Sequence, residues 1–413
     1  MTRPLRVGIY VMMFPQASET FIVTKVLKLI DAGFDIQIFA TNESPHWDSF
    51  DILRDREDVR ARVHVIPPVR PLPLVLTRGA YELVRAAARE PAAFVKYLRC
   101  TWSNRERART GLLKSIYLRS MFVGYRLDIL HVEFDAQGIG VADLKEFLGC
   151  HMLYSARGTF QQTSVLDKEP DACEHLFRYV DGYHFISRFL EQNTRKLGLP
   201  NDVPTWHIEP AIDLRLFQPK PRTASAKLRL VSVGRLTWAK GYEFALDAVA
   251  RVRDAGINVD YVIYGAGPYE EPIRYAVRQL GLENCARLGG ALKREDMPQA
   301  YADADIMVHA AVEEGFCNAV IEAQAMELPV VTSDAGGLPE NVEHGATGFV
   351  TPRRDAEAMA AKILQLANDP PLRRTLGEAG RQRALARFDL DRQAEAFVRL
   401  YTELAALPRR AII

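Results

Sequence analysis

Glu314 and Glu322 stand eight residues apart in Glu313-Glu-Gly-Phe-Cys-Asn-Ala-Val-Ile-Glu322. An ionised carboxylate accepts two hydroxyl hydrogen bonds at once, and the diols of a sugar supply such pairs. Asn318 reads as the N-cap of a helix over Ala319 to Glu327. The free amides at that helix start, approached closely over Gly315, suit phosphate or sugar oxygens, so the Gly315-Phe316-Cys317-Asn318 backbone joins the candidate site. Glu322 is not the acid of a capping box, because Ile321 occupies the position three after the cap. A solvated helix face remains its plain alternative. Which of Glu313 and Glu314 points inward is left open by the sequence.

Upstream, Val231-Ser-Val-Gly-Arg-Leu-Thr-Trp-Ala-Lys-Gly241 follows directly on a strand. Gly234 allows the chain to turn closely past a ligand, and Arg235 and Lys240 place two cations at the carboxyl edge of a sheet, where open α/β sheets bind ligands. Two cations there suit a diphosphate; cations at a helix start are otherwise unfavourable against the helix dipole. Tyr261-Val-Ile-Tyr-Gly-Ala-Gly-Pro268 carries Gly265 and Gly267 in a strand-to-turn passage. A dinucleotide fingerprint needs a third glycine, and Pro268 stands in the loop, so the turn borders a nucleotide or is an ordinary strand-to-helix connection.

The elements that must position these groups follow from periodicity. Apolar runs of strand length alternate with amphipathic helical stretches, the pattern of parallel sheets built from βαβ units. One series reads Val7–Val11, Asp35–Phe39, Ile129–Val132, His151–Tyr154 and Gly182–Ile186; a second reads Leu228–Val233, Val259–Tyr264, Ala286–Leu288, Ile306–His309 and Pro329–Thr332. Between them, Trp206 to Pro221 holds three prolines and little helical periodicity, which predicts a connector. The expectation is an α/β chain of two Rossmann-like domains, residues 1–215 and 216–388, followed by a terminal helical segment, 389–413.

The 413 residues allow two or three domains, and 53 basic against 52 acidic side chains exclude a global field for nucleic acid. The five cysteines are odd in number and widely spaced, which suits a reducing, cytoplasmic setting and no disulfide or zinc framework. No run reaches the ~18–20 apolar residues of a membrane span. Residues 78–126 are locally basic with interleaved aromatics, a composition equally consistent with docking on an anionic membrane surface and with a solvated face over an ordinary core stripe.

Four blocks together resemble the retaining glycosyltransferases of family four, which have the GT-B fold: Gly234-Arg235 through Lys240-Gly241, Gly265-Ala-Gly267, Glu314 to Glu322, and Gly336-Gly-Leu-Pro-Glu-Asn-Val-Glu-His-Gly-Ala-Thr-Gly-Phe349. Phe14-Pro-Gln-Ala-Ser-Glu-Thr-Phe-Ile22 resembles the first loop of members that build bacterial polysaccharides. The resemblance implies two domains facing across a cleft, the terminal helical segment 389–413 packing back on the first, and a nucleotide-diphosphate sugar as donor. Arg235 and Lys240 would neutralise its pyrophosphate, Glu322 would hold the ribose hydroxyls, and Glu314 with the backbone of residues 315–318 would contact the transferred sugar. It implies no divalent metal and no cofactor, with Asp303-Ala-Asp305 structural. The acceptor implied is a saccharide or lipid-linked saccharide, with Ser18, Glu19, His131 and Arg157 on its side. Arg157, in Ser155-Ala-Arg-Gly-Thr-Phe160, replaces the family's histidine and can only donate. Further departures are Ala311 for a serine, Cys317 for Gly or Pro, and Glu327 for a frequent Gly. A nucleotide-sugar epimerase of the same fold, a dehydrogenase and a non-catalytic nucleotide-sugar-binding partner are the alternatives.

Overall fold

The computed structural model describes residues 3–16, 19–65, 72–103, 119–158, 171–221 and 225–412. The chain divides into two compact units. Met1–Ile186, Glu191–Ile208 and Ala394–Ile413 make the first; Ser187–Leu190 and Glu209–Gln393 make the second.

The first unit is built on a seven-stranded sheet: β1 Arg6–Met13, β2 Asp35–Asn42, β3 Val63–Val65, β4 Ile129–Val132, β5 His151–Ala156, β6 Gly182–Phe185 and β7 Thr205–His207, in the order β3-β2-β1-β4-β5-β6-β7. The second holds β8 Leu228–Val233, β9 Val259–Tyr264, β10 Ala286–Gly290, β11 Ile306–His309, β12 Val330–Ser333 and β13 Gly348–Thr351, in the order β10-β9-β8-β11-β12-β13. Every strand pair is parallel. Parallel sheets are covered on both faces, which is why strands such as Ile129–Val132 and Val330–Ser333 are buried throughout. Each sheet reverses its winding once, between β1 and β4 and between β8 and β11, and such switch points open ligand-binding crevices at the carboxyl ends of the strands. Two Rossmann-like units with these sheets constitute the GT-B fold.

Three strands were absent from the sequence reading: β3 and β7, three residues each, and β13, which lies inside the glycine-rich block ending at Phe349. The helix Leu390–Ala406 buries Phe397, Leu400, Tyr401 and Leu404 in the core of the first unit beside Ile9, Val11 and Ile38. Each such side chain contributes about 2 kcal/mol of apolar burial. Asp389 is its cap rather than its first residue, accepting from the Asp391 and Arg392 amides at 2.9 and 3.1 Å.

Asp305 fixes β8 against β11 in the second unit. Its carboxylate accepts from the Arg229 amide at 2.8 Å and from the Arg229 guanidinium at 2.9 and 3.2 Å. Both oxygens are thereby committed to a structural fork. Among the described residues no helix is long and apolar enough to cross a membrane.

Candidate active site

In the second unit, the loops after β8, β9 and β11 are locked together through their backbones. The Gly234 amide donates to Tyr264 O at 3.0 Å, and the Leu236 amide to Ala266 O at 3.0 Å. Gly265 has φ +153°, and a Cβ there would lie 1.9 Å from Gly234 O; one on Gly267 would lie 2.2 Å from Leu236 O. These two glycines therefore answer to the neighbouring loop, a reason that the Gly-x-Gly pattern by itself did not disclose. The β11 loop is gripped in the same way from the 336–349 block. Added Cβ atoms on Gly336 and Gly337 would meet Glu314 O and Gly315 O at 1.9 and 2.0 Å, and the Gly337 amide donates to Glu314 O at 3.0 Å.

Lys240 closes a short 3-10 turn, Trp238–Lys240, and its ammonium donates to the Glu314 carboxylate. His309, the last residue of β11, reaches the same carboxylate at 3.3 Å. It is Glu314, and not Glu313, that is drawn into this network. Burial would raise the Glu314 carboxyl, but Lys240 and His309 hold it down at about 2. Burial would likewise lower His309, yet Cys317 and Glu314 push it up to about 9. Burial opposes the Lys240 charge too, and Glu314 raises it above its ordinary value. Arg235 is exposed and has no ion-pair partner among the described residues.

The helix begins at Asn318 and runs to Ala325, with Cys317 as its cap residue and no side-chain cap, so the expected capping role of Asn318 is not found. The Asn341 side chain instead clamps Cys317 itself, accepting from its amide at 3.0 Å and donating to its carbonyl at 3.2 Å. This clamp leaves the first-turn amides after Cys317 without an intrahelical acceptor. Phe316 is buried against Phe388. Glu322 accepts from the Tyr301 hydroxyl at 2.8 Å, and burial pushes its carboxyl up to about 7, with Arg294 acting in the opposite direction. His309, Glu314 and Cys317 offer ligand atoms within 4.8 Å of one another, a set of metal-binding type. Lys240 already places a cation on the shared Glu314 oxygen, which makes the trio part of a charge network.

The first unit carries a second cluster at its own carboxyl edge. Arg157, just after β5, donates through Nε to Glu133 O at 3.0 Å and through Nη2 to the Glu133 carboxylate at 2.8 Å. Its guanidinium lies over the Phe21 ring, 4.3 Å from the centroid. Lys25 donates to the other Glu133 oxygen, and both side chains of that pair are buried. Burial raises Glu19 to about 7, with Arg157 pulling it down. Ser18 lies outside the described residues.

His131, expected on the acceptor side, is fully buried and committed on both nitrogens. His184 Nε2 must donate to Ile208 O at 2.9 Å, so its Nδ1 accepts from the Ser155 hydroxyl at 2.7 Å. Ser155 Oγ then accepts from His131 Nε2 at 2.7 Å, and His131 Nδ1 accepts from Tyr401 at 2.7 Å. Burial pushes both imidazoles well below their ordinary value, in keeping with a neutral chain. His131 is thus a packing and orienting group.

Residues 215–383 match the family described as Glycosyl transferases group 1. The chain is 28% identical over 382 residues to the amylovoran biosynthesis glycosyltransferase AmsK of Erwinia amylovora, covering 88% of this chain and 91% of that one. Over 242 residues it is 28% identical to the GDP-mannose-dependent alpha-(1-6)-phosphatidylinositol monomannoside mannosyltransferase of Mycobacterium tuberculosis, covering 54% of this chain and 62% of the relative. The crystal structure of Anabaena Alr3699/HepE in complex with UDP superposes with a TM-score of 0.70 at 17% identity, covering 97% of this chain and 100% of that one. Within the matched residues, Glu327 adopts φ +58°, a conformation that costs a side-chain-bearing residue about 1 kcal/mol or more. Cys317 is buried beside His309, where its thiol enters the network around Glu314.

Several partners of the site lay outside the sequence reading. His309 and Tyr301 come from other elements and carry no motif, and Asn341 lies in the 336–349 block with no role assigned to it there. Lys25 did leave a signal: it falls three residues after buried Ile22 and four before buried Leu29, on the apolar stripe of the helix Thr20–Asp31.

Proposed function

We propose that the chain transfers a hexosyl unit from a nucleotide-diphosphate sugar to a saccharide or lipid-linked saccharide, with retention of anomeric configuration and without a divalent metal, in polysaccharide assembly. One observation carries the reading. At the switch point of the second sheet, exposed Arg235 stands beside the Lys240–Glu314–His309 network, near a helix start whose side-chain cap is missing. Arg235 and Lys240 neutralise the departing diphosphate, the first-turn amides receive donor oxygens, and Glu322 receives ribose hydroxyls through the oxygen that Tyr301 leaves open. Charge developing on the leaving group is met by cations already in place, so little reorganisation is needed. The names of the polysaccharide relatives support the saccharide acceptor, and relatives associated with UDP and GDP-mannose make those two series the first donors to test.

Calorimetric binding of UDP, GDP, ADP and dTDP and their sugar conjugates in EDTA, followed by nucleotide release, tests this. Micromolar binding of one series with release of its diphosphate is expected, and the anomeric proton coupling of the product reports retention. No binding to any series, or turnover that appears only on adding a divalent metal, refutes the corresponding part.

A cytoplasmic, peripheral position on an anionic membrane is the accompanying proposal. It rests on the helices Leu72–Arg89 and Pro91–Ser103, where Tyr81, Val84, Val95, Leu98 and Trp102 are exposed together with Arg85, Lys96 and Arg99. Residues 104–118 of the basic region lie outside the described residues. Co-sedimentation with phosphatidylglycerol vesicles that falls with salt and on replacing Trp102 by Ser is expected; salt-insensitive binding refutes the electrostatic part.

A further inference from the structure

We propose that the uncommitted edge of the Arg157 guanidinium is an oxyanion subsite, so that the acceptor carries a carboxylate or a phosphate. The inference rests on the reading of the first unit as the acceptor side.

Arg157 spends Nε and Nη2 on Glu133, while Nη1 makes no hydrogen bond among the described residues. Its side chain is 8% exposed, so this is an almost wholly buried cation with one donor edge left over. Glu133 is fully buried and also holds Lys25, and among the described residues it is the only carboxylate bonded to either cation. Burial and the Arg157 charge push the Lys25 ammonium well below its ordinary value, so the lasting positive charge of the cluster is the guanidinium, with Glu133 as its one bonded carboxylate among the described residues. The two nearby carboxyl groups leave the free edge of the guanidinium open: burial drives Glu19 and Asp135 toward their neutral forms, each up to about 7. Asp135 is moreover taken by the Tyr183 hydroxyl at 3.2 Å and the Ala136 amide at 3.0 Å.

The position fits a ligand. Glu133 follows β4, Arg157 follows β5, and Phe21 and Lys25 lie on the helix after β1, so the cluster sits at the switch point of the first sheet. The guanidinium is already fixed by two bonds to Glu133 and by the Phe21 ring, so an oxyanion meeting it immobilises no further rotor. A histidine at this place would offer a proton acceptor; a pinned arginine offers a permanent charge with fixed direction.

The test compares transfer to matched acceptors: a uronate-terminated disaccharide against its methyl ester, and a prenyl-phosphate-linked disaccharide against the same glycolipid without phosphate. A charge-assisted hydrogen bond corresponds to at least about tenfold in kcat/KM. At least one acid should exceed its neutral counterpart by that factor, and the arm that does so identifies the source of the oxyanion. In Arg157→Gln the preference should collapse to within about twofold, in Arg157→Lys it should persist in part, and nucleotide affinity should be unchanged. Equal turnover of acid and neutral partners by the wild type overturns the proposal, and so does a preference that survives Arg157→Gln. The wild-type comparison decides even where Arg157→Gln does not fold. Should nucleotide bind and no acceptor react, the transferase reading fails instead. Calorimetry with inorganic phosphate then judges the subsite: binding weakened in Arg157→Lys and abolished in Arg157→Gln supports it, and no binding to the wild type overturns it.

Discussion

Replacing Glu322 by Gln should make the protein more stable and less functional, and the two effects have separate pH signatures. Burial lifts the Glu322 carboxyl from 4.5 to about 7. A folded-state value above the unfolded one means that the native state holds the proton more tightly. The associated stability is fully present below 4.5 and is lost as pH rises through about 7. A shift of that size corresponds to about 3 kcal/mol, the cost of carrying the buried charge at pH 8. Gln keeps the shape and can still accept from Tyr301, but it carries no charge. Its melting temperature should therefore match wild type near pH 4 and exceed it by on the order of 5–10 °C at pH 8. Nucleotide binding should move the opposite way. Losing a charge-assisted hydrogen bond to a ribose hydroxyl weakens binding by on the order of 10- to 100-fold at pH 8. The wild-type gain in affinity as pH rises through about 7 should vanish. Scanning calorimetry and titration calorimetry at pH 4, 6, 7 and 8 read both arms. A variant no more stable than wild type at pH 8 refutes the burial argument, and unchanged nucleotide affinity refutes the ribose assignment.

Lys240→Met leaves Glu314, held at about 2, with only His309, and should cost about 3 kcal/mol in urea unfolding while lowering donor turnover by orders of magnitude. The Glu314 contribution is present above 4.5 and is lost only as pH falls through about 2, whereas that of His309 is complete below 6.5 and lost as pH rises through about 9. His309→Gln should accordingly flatten the alkaline limb of a melting-temperature profile and leave the acid limb in place. Gly265→Ala drives a Cβ to 1.9 Å from Gly234 O and should abolish a cooperative melt of the second unit, while Gly33→Ala, at φ +89° with nothing within 4 Å, should cost only about 1 kcal/mol. Asp305→Ala frees Arg229 and should lower stability without altering turnover in EDTA; restoration or loss of activity with added metal would refute its structural role.

What the sequence disclosed was whatever lies contiguous in the chain. Gly234 to Gly241 and Glu314 to Glu322 are single runs at strand ends, so their cations, carboxylates and helix start could be read together. The partners that tune them are remote. Tyr301 reaches Glu322 from twenty-one residues upstream, and Asn341 reaches Cys317 from twenty-four downstream. Neither has a type or spacing that announces the contact. The same distance hid the role of Arg157: its substitution for a histidine was visible, but its fixing partner Glu133 sits on a different strand end, twenty-four residues away. The strands β3, β7 and β13 escaped for a local reason, since three or four residues are too short for alternation to register.

The two units each set two basic side chains against one carboxylate at equivalent places. At the switch point of the second sheet, Lys240 and His309, the latter pushed up to about 9, face the single carboxylate of Glu314. At that of the first, Lys25 and Arg157 face the single carboxylate of Glu133. The Glu314 triad holds two charged bases on one carboxylate, whereas in the Glu133 triad burial and the Arg157 charge push Lys25 toward its neutral form. A donor diphosphate would complete the first of these. If the second is merely structural, Lys25→Met, which replaces a buried amine pushed toward its neutral form by an apolar chain, should raise stability. The same substitution should weaken phosphate binding if Arg157 and Lys25 act together on an oxyanion. Unfolding and phosphate titration of Lys25→Met therefore separate the two accounts: a stabilised protein with undiminished phosphate affinity leaves Arg157 acting alone, and a stabilised protein that has lost phosphate shows that the first unit retains a buried amine for its ligand.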